Sequence, residues 1–135
     1  MGENLLGEQS AESFQEICSA EILQGPVLEL SGKIKRRPLK VLIDSGSTGN
    51  FISDQVVASL HLKVVEDGIR QKLILPDKSI IWAGGWVDSL LTSGEYVRRI
   101  SARVFPSLHK ELILGMPWLV MEDPDISWRN RTVAV

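Results

Sequence analysis

The segment KVLIDSGSTGNFIS, Lys40 to Ser53, places one acidic residue at the end of an almost continuous apolar run. Asp44 is followed by Ser45 and Gly46, and then by further small or hydroxylated residues. Asp-Ser-Gly is common in ordinary turns, because Asp accepts a backbone hydrogen bond and Gly allows a positive φ. Alone, the tripeptide therefore favours a simple turn, and a chemical role needs further support.

Several kinds of catalytic or binding site are excluded by the residue types. The run GSTGN lacks the Gly-Lys-Ser/Thr ending that holds phosphate and magnesium. A serine nucleophile would need a G-x-S-x-G elbow, which is missing, and only His61 and His109 could serve as its base. Neither a His-Glu-x-x-His motif nor a cysteine pair offers metal ligands. Among the catalytic sites considered, only one based on a carboxylate remains.

A single carboxylate can activate water when a second one lies beside it. Two such groups within about 3 Å cannot both ionise, so they share a proton, and one acts as base while the other acts as acid. The chain offers only Asp44 in a suitable setting. The site would therefore form across a two-fold axis, with one Asp44 from each of two chains.

Length, net charge and cysteine content indicate which partners and which cell compartment to expect. A chain of 135 residues suits one domain with a core of its own. The formal charge of -2 predicts no nucleic acid and no anionic membrane as a partner. Cys18 is the only cysteine, which favours a reducing compartment. Apolar runs of about 18 residues and a secretory leader pattern are missing, so we expect the cytoplasm.

The order of patterns along the chain predicts a small β domain. Residues 1–21 read as a flexible arm or polyprotein linker, and residues 22–135 as the folded domain. Apolar segments around Gly32 predict a hairpin from Val27 to Ile43. Ser53 is placed to cap a short helix that carries Val56, Val57 and Leu60 on one face.

The second half continues the β pattern. KLILPDKSIIWAGGWV predicts a projecting hairpin that turns at Pro76 to Ser79, and another hairpin is expected around Thr92 to Glu95. Ile100, Ala102 and Val104 alternate with Arg99, Ser101 and Arg103, the period of a half-buried strand. A buried strand should end at Gly115, before a helix with Pro117 in its first turn and Pro124 after its end. The four tryptophans are expected in core or interface packing; they are Trp82, Trp86, Trp118 and Trp128.

Three segments in order, LIDSGSTGNFIS, ELILGMPWL and DPDISWRNRTV, resemble the retropepsin family of aspartic proteases. The chain looks most like the protease segment of a gypsy-type LTR retrotransposon Gag-Pol polyprotein, and the resemblance spans Ile22 to Val135. It implies a mostly β fold: the retropepsin-like closed β-barrel of the acid proteases, with one or two short helices and one half-site per chain.

The resemblance also assigns roles to individual residues. It implies that Asp44 is the catalytic carboxylate, that the Ser45 hydroxyl braces the partner chain, and that Gly46 lets the substrate backbone approach. The hairpin around Leu75 to Ile81 matches the flap that closes over bound peptide, and Ile113 matches a residue of a side-chain pocket. The predicted substrate-binding residues are Ser47, Thr48, Leu75, Pro76, Asp77, Lys78, Ser79, Ile80 and Ile113.

The leading functional hypothesis is a homodimeric aspartic endopeptidase that cleaves its own Gag-Pol-like polyprotein in the cytoplasm or within virus-like particles. It needs neither metal nor organic cofactor. An alternative is a weakly active or non-catalytic binding and assembly module, monomeric or partner-dependent, because Lys78 stands where related flaps often have Gly. In a third interpretation the chain is an ordinary β-barrel, and Asp-Ser-Gly is only a turn.

Overall fold

A computed structural model describes residues 28–74, 78–107 and 109–135. Within these residues nine strands and two helices are formed. The strands are β1 Leu28–Ile34, β2 Arg37–Ile43, β3 Phe51–Ser53, β4 Val65–Ile74, β5 Ile80–Ser93, β6 Tyr96–Phe105, β7 Leu112–Leu114, β8 Asp125–Ser127 and β9 Thr132–Ala134. The helices are α1 Asp54–Ser59 and α2 Met116–Glu122. The predicted boundary near residue 21 lies outside the described residues.

Six of the strands form a closed barrel. They follow one another in the order β1-β2-β7-β3-β6-β5, and β5 pairs with β1 through Lys33 and Thr92 to close the ring. The β2–β7 and β3–β6 pairs are parallel, whereas the other pairs are antiparallel. β4 pairs with the first half of β5, outside the ring. The expected mostly β barrel with two short helices is confirmed.

Period-two alternation builds the barrel core. Along β1, buried and exposed residues alternate without a break, and Leu28, Leu30 and Ile34 face inward. Trp118 of α2 is also fully buried in this core, and its indole N–H donates to the Tyr96 hydroxyl at 3.0 Å. The hairpin predicted at Val27 to Ile43 is formed by β1 and β2 over the described residues 28–43, and the hairpin predicted around Thr92 to Glu95 is formed by β5 and β6.

Both helices begin where the sequence predicts. The Ser53 hydroxyl caps α1 by accepting the Gln55 backbone N–H at 3.0 Å, and Val56 and Val57 face the core. α2 follows Gly115, has proline in its first turn, and ends at Glu122 before Asp123 in the left-handed region.

The tryptophan prediction is confirmed only in part. Trp118 is a core residue, and Trp86 is half-buried with its ring against a guanidinium group. Trp82 and Trp128 are exposed in the single chain, so a role for them in an interface stays a prediction.

The alternation predicted for β6 is wrong at one residue. Ile100 and Ala102 are buried as expected, but Arg103, on the strand's other face, is only 4% exposed. It is covered because Asp67 of β4 and Trp86 of β5 lie over its guanidinium group.

The described residues contain neither a membrane-spanning helix nor a cluster of metal-ligand side chains. No helix in this part of the chain is long and apolar enough to cross a bilayer. Likewise, these residues hold no group of three or more His, Cys, Asp or Glu side chains arranged to bind a metal ion.

Candidate active site

Asp44 lies in a tight turn directly after β2. Its backbone N–H donates to the Leu114 carbonyl at 3.0 Å, which extends the pairing of β2 with β7 by one residue. Its Oδ1 accepts the Gly46 backbone N–H at 2.9 Å, and its carbonyl accepts the Ser47 N–H at 3.1 Å. The carboxylate is half-buried, and Ser45 beside it is exposed. The turn therefore holds a partly accessible carboxylate in a defined orientation.

The buried residue Ser47 stabilises the same loop through hydrogen bonds. Its hydroxyl donates to the Gly49 carbonyl at 2.7 Å, and its own carbonyl accepts the Met116 N–H at 2.8 Å. Ser47 is fully buried, whereas Thr48 is exposed. In the single chain Ser47 therefore supports the loop and has no exposed surface with which to contact substrate. Thr48 is exposed, so it can make the contact predicted for it.

Gly115, in the segment ELILGMPWL, lies directly against the Asp44 loop of the segment LIDSGSTGNFIS. A Cβ atom at this position would lie 2.4 Å from the carbonyl oxygens of both Ser47 and Gly49. Only glycine allows β7 and the start of α2 to approach the Asp44 loop so closely. This is a physical reason for the glycine of the segment ELILG.

Asn50 joins the loop to β6 and to Gly115 at the start of α2, and it was not among the residues predicted from the sequence. Its Oδ1 accepts the Gly115 N–H at 2.9 Å, and its Nδ2 donates to the Ser101 carbonyl at 3.2 Å. Its backbone carbonyl accepts the Arg103 N–H at 2.9 Å. The sequence did contain a signal for this role, because Asn50 lies between a glycine-rich loop and an apolar strand. At such a position an amide side chain can donate to and accept from the backbone groups that the loop leaves unpaired.

A second apolar cluster joins β3, β6 and β7 to the β4–β5 hairpin. Ile113 packs there with residues of β3, β4, β5 and β6, and the Phe51 and Phe105 rings meet edge to face at 6.0 Å. The buried members are Phe51, Leu73, Ala83, Phe105 and Ile113. Ile113 is covered in the single chain, so its predicted role in a substrate pocket requires displacement of its neighbours and stays a prediction.

The projecting hairpin is formed by β4 and β5. Their register pairs Lys72 with Trp82 and Ile74 with Ile80. The predicted tip residues Leu75, Pro76 and Asp77 lie outside the described residues. The other predicted contacts of the hairpin are exposed; they are Lys78, Ser79 and Ile80.

Lys78 adopts φ 70°, in the left-handed region. Gly adopts this region freely, whereas the conformational free energy of a residue with a Cβ is about 1–2 kcal/mol higher there. The conformation agrees with the expectation that glycine is favoured at this turn position. The flap role of the hairpin remains a prediction.

An ion pair between the buried Arg103 and the more exposed Asp67 anchors the base of this hairpin. Arg103 Nη2 lies 3.0 Å from Asp67 Oδ2, and Nη1 donates to the Ile69 carbonyl at 3.2 Å. The guanidinium stacks on the Trp86 ring at 4.1 Å, and the Trp86 indole N–H donates to Asp67 Oδ2 at 2.6 Å. The hydrogen bonds from Arg103 and from the Ile69 N–H hold the pKa of Asp67 far below its usual range. This contact joins an irregular part of β4, around Gly68, to β6.

Replacing Arg103 by Met should lower the free energy of unfolding by about 1–3 kcal/mol at neutral pH, because Asp67 loses its charged hydrogen bonds. The folded-state pKa of Asp67 is depressed, so its contribution is present above the unfolded pKa of about 4 and is lost as pH falls. Urea unfolding at pH 7 and at about pH 3 should therefore show a smaller difference between variant and wild type in acid. Arg99→Met, on an exposed position of the same strand, is the control and should change little. Equal losses in both variants would contradict the assignment.

Comparison with known proteins identifies the family. The sequence model of the PEG10/RTL1 protease domain matches residues 40–135, a range that includes both the Asp44 loop and Gly115. The chain belongs to the PEG10/RTL1 protease domain family. The retropepsin-like interpretation of the sequence is thereby confirmed at the level of the domain.

Two solved structures are similar to this PEG10/RTL1-type domain. One is the retroviral protease-like domain of Ddi1 from Leishmania major, with a TM-score of 0.66 and 14% identity over 82% of this chain and 90% of the other. The other is a retropepsin-like aspartic protease from Rickettsia conorii, with a TM-score of 0.51 and 14% identity over 70% and 78% of the two chains. At this identity the likeness shows a common fold.

Proposed function

We propose that this chain is one half of a homodimeric aspartic endopeptidase. The observation that carries the proposal is the Asp44 turn, whose half-buried carboxylate is oriented by the Gly46 N–H and fixed between β2 and β7. Asp-Ser-Gly occurs once in the sequence, so two carboxylates of this kind require two chains. Membership of the PEG10/RTL1 protease domain family supports the same chemistry.

The proposed reaction is hydrolysis of a peptide bond by water held between the two Asp44 carboxyl groups. The ionised carboxylate takes a proton from water while the water oxygen attacks the scissile carbonyl carbon, and the protonated carboxyl donates its proton to the carbonyl oxygen. The tetrahedral intermediate collapses as the C–N bond breaks: the leaving nitrogen takes the proton that the first carboxylate received from water, and the second carboxylate recovers its proton from the hydroxyl group of the intermediate. The Ser45 hydroxyl, exposed beside Asp44, would brace the partner loop.

The proposed substrate is an extended polypeptide bound between the Asp44 loop and the β4–β5 hairpin. Exposed Thr48 on the loop and Ile80 on the hairpin are suited to contact such a strand. The resemblance to gypsy-type retroelements leads us to propose a Gag-Pol-like polyprotein as the physiological substrate, in the cytoplasm or within virus-like particles.

Cleavage of a mixed peptide library at several chain concentrations and pH values tests the proposal. Activity per chain should rise with concentration, because two chains form one site, and then level off. The rate should pass through a maximum at acidic pH, since the paired carboxyl groups must hold one proton between them. A folded, concentrated protein that cleaves nothing across this range would instead favour the binding and assembly module.

A further inference from the structure

The strands β5 and β6 separate at the base of the β4–β5 hairpin. Their pairing reaches Trp86 and Arg103 and goes no further toward the hairpin tip. From Ile80 to Gly84, β5 pairs with β4 alone among the described strands. β6 continues to Phe105, where its other edge pairs with β3. A gap therefore opens between the first half of β5 and the end of β6.

A cleft of about 380 Å³ occupies this gap, and we name it the β5–β6 cleft. Trp82 and Gly84 of β5 line one side, and the consecutive residues Val104, Phe105 and Pro106 line the other. Successive side chains of a strand point to opposite faces, so consecutive lining residues mean that the edge of β6, rather than one face, borders the cleft. The cleft thus lies between two strand edges.

Both strand edges carry main-chain groups that lack a strand partner in the described part of the chain. In an antiparallel pair, every second residue of β5 directs its N–H and C=O away from β4. Between Ile80 and Gly84 no described strand pairs with this edge, and β5 is likewise not paired with Val104 or Phe105 of β6. An open strand edge is a template for pairing with a further strand. The cleft is therefore suited to an extended polypeptide whose main chain pairs with β5.

The cleft borders the face of the hairpin that is turned away from Ile113. Ile81 and Ala83 of β5 pack into the apolar cluster that contains Ile113. Trp82 lies between them in the sequence and is 48% exposed, so its indole faces the other way. A large exposed ring beside an open strand edge offers apolar contact area to a bound segment.

Arg70 supplies a cation that a bound segment can reach over Gly84. It lies opposite Gly84 in the β4–β5 register, and a Cβ atom on Gly84 would lie 3.6 Å from Arg70 Cγ. Because glycine leaves this space open, Arg70 lines the cleft as well. Arg70 is exposed and forms no ion pair with another described residue. It is therefore a suitable partner for a carboxylate on the bound segment.

Two carboxylates at the cleft limit where that acidic side chain can lie. Asp54 and Glu66 both line the cleft. The Asp54 Oδ1 accepts the Ser107 N–H at 3.3 Å, and the Glu66 Oε2 lies 3.3 Å from the position of a Cβ on Gly85. Their negative charges repel additional acidic residues. The cleft therefore favours one acidic side chain, over Gly84, rather than an acidic run.

We infer that the β5–β6 cleft docks an extended segment of a partner polypeptide, which adds to the edge of β5 as a further strand. The segment carries one acidic and one apolar side chain two residues apart, the spacing that places both on one face of a strand. The acidic side chain meets Arg70 and the apolar one packs on Trp82, while main-chain hydrogen bonds supply affinity. Docking of this kind does not depend on the proposed proteolysis.

Selection from a library of random nonapeptides tests the inference. The target is the full chain with Asp44→Asn, so that the proposed catalytic site cleaves no bound peptide. Enriched peptides should carry an acidic and an apolar residue at positions i and i+2. Methylation of alternate main-chain nitrogens in such a peptide should raise its Kd by about tenfold or more, because the donors that pair with β5 are lost.

Two variants of the target locate the peptides on the protein. Gly84→Val fills the space beside Arg70 with a residue that suits a strand, and Trp82→Ser removes the apolar surface. Each should raise the Kd of the enriched peptides by about tenfold or more, measured by fluorescence anisotropy. Leu90→Ser is the matched control, because Leu90 is also 48% exposed on β5 but lies where this strand is paired with β6. It should leave the Kd within about twofold, and circular dichroism should show that all three variants are folded.

Three results would each overturn the inference. The first is a selection that enriches no peptide relative to the Gly84→Val chain. The second is a set of binders whose Kd is the same for Gly84→Val, Trp82→Ser and Leu90→Ser, which would place them elsewhere on the molecule. The third is unchanged affinity after main-chain methylation, which would exclude pairing with β5.

Discussion

Asp44→Asn should abolish peptide cleavage while leaving the fold intact. The asparagine side chain can still accept the Gly46 N–H through its carbonyl oxygen, so the turn after β2 is preserved. The amide cannot take a proton from water or return one to the carbonyl oxygen. Loss of acid-base catalysis alone corresponds to a fall of about 10²–10⁴-fold, and loss of both roles in the dimer should bring the rate to background.

The measurement compares wild type and Asp44→Asn on the same peptide library between about pH 4 and pH 7, at equal chain concentrations. Asp88→Asn is the control, because it makes the same change at an exposed position on β5. Equal midpoints in urea would show that the fold is unaffected. Persisting cleavage by Asp44→Asn would remove Asp44 from the catalytic role.

Gly115→Ala should have the largest effect on stability. The new Cβ would lie 2.4 Å from two backbone carbonyl oxygens, those of Ser47 and Gly49, and 2.9 Å from the Ser47 Cβ. Backbone atoms cannot rotate away as a flexible side chain can, so the loop and α2 must separate. Overpacking costs about 1–3 kcal/mol and sometimes more, and this contact belongs at the upper end. Cleavage should fall as well, because the displaced loop carries Asp44.

Gly84→Ala is the matched control for this prediction. Its Cβ would meet its nearest neighbours at 3.6 Å, an ordinary contact, and Gly84 is not among the glycines with positive φ. Urea unfolding should show a change below about 1 kcal/mol for Gly84→Ala. If Gly115→Ala unfolds at the same urea concentration as Gly84→Ala, the close approach of loop and helix is not required for the fold.

Local signals were sufficient to predict most of the elements. The apolar segments on either side of Gly32, the cap at Ser53 and the proline at 117 are local signals, so the sequence pattern contains the cause of these elements. Closure of the barrel through Lys33 and Thr92 depends on strands far apart in the chain. It was expected only from the resemblance to retropepsins.

The burial of three residues near the site could not be predicted, because it depends on residues that are distant in the sequence. Arg103 sits on the predicted solvent side of β6, but an irregular segment of β4 brings Asp67 over it, which a two-residue period cannot reveal. Ser47 and Ile113 are buried for a similar reason, since they meet Gly115 and the hairpin strands respectively. The motif placed Asp44 correctly in a turn directly after an apolar strand, because that arrangement is local; the strand itself is buried on one face only, with Pro38 and Lys40 exposed.

The most direct test of the shared active site mixes wild type with Asp44→Asn at a fixed total concentration, well above the dimer dissociation constant. If one site needs Asp44 from both chains, cleavage should follow the square of the wild-type fraction, and an equal mixture should keep about one quarter of the activity. About one half of the activity, in proportion to the wild-type chains, would mean that each chain works alone and would contradict the account.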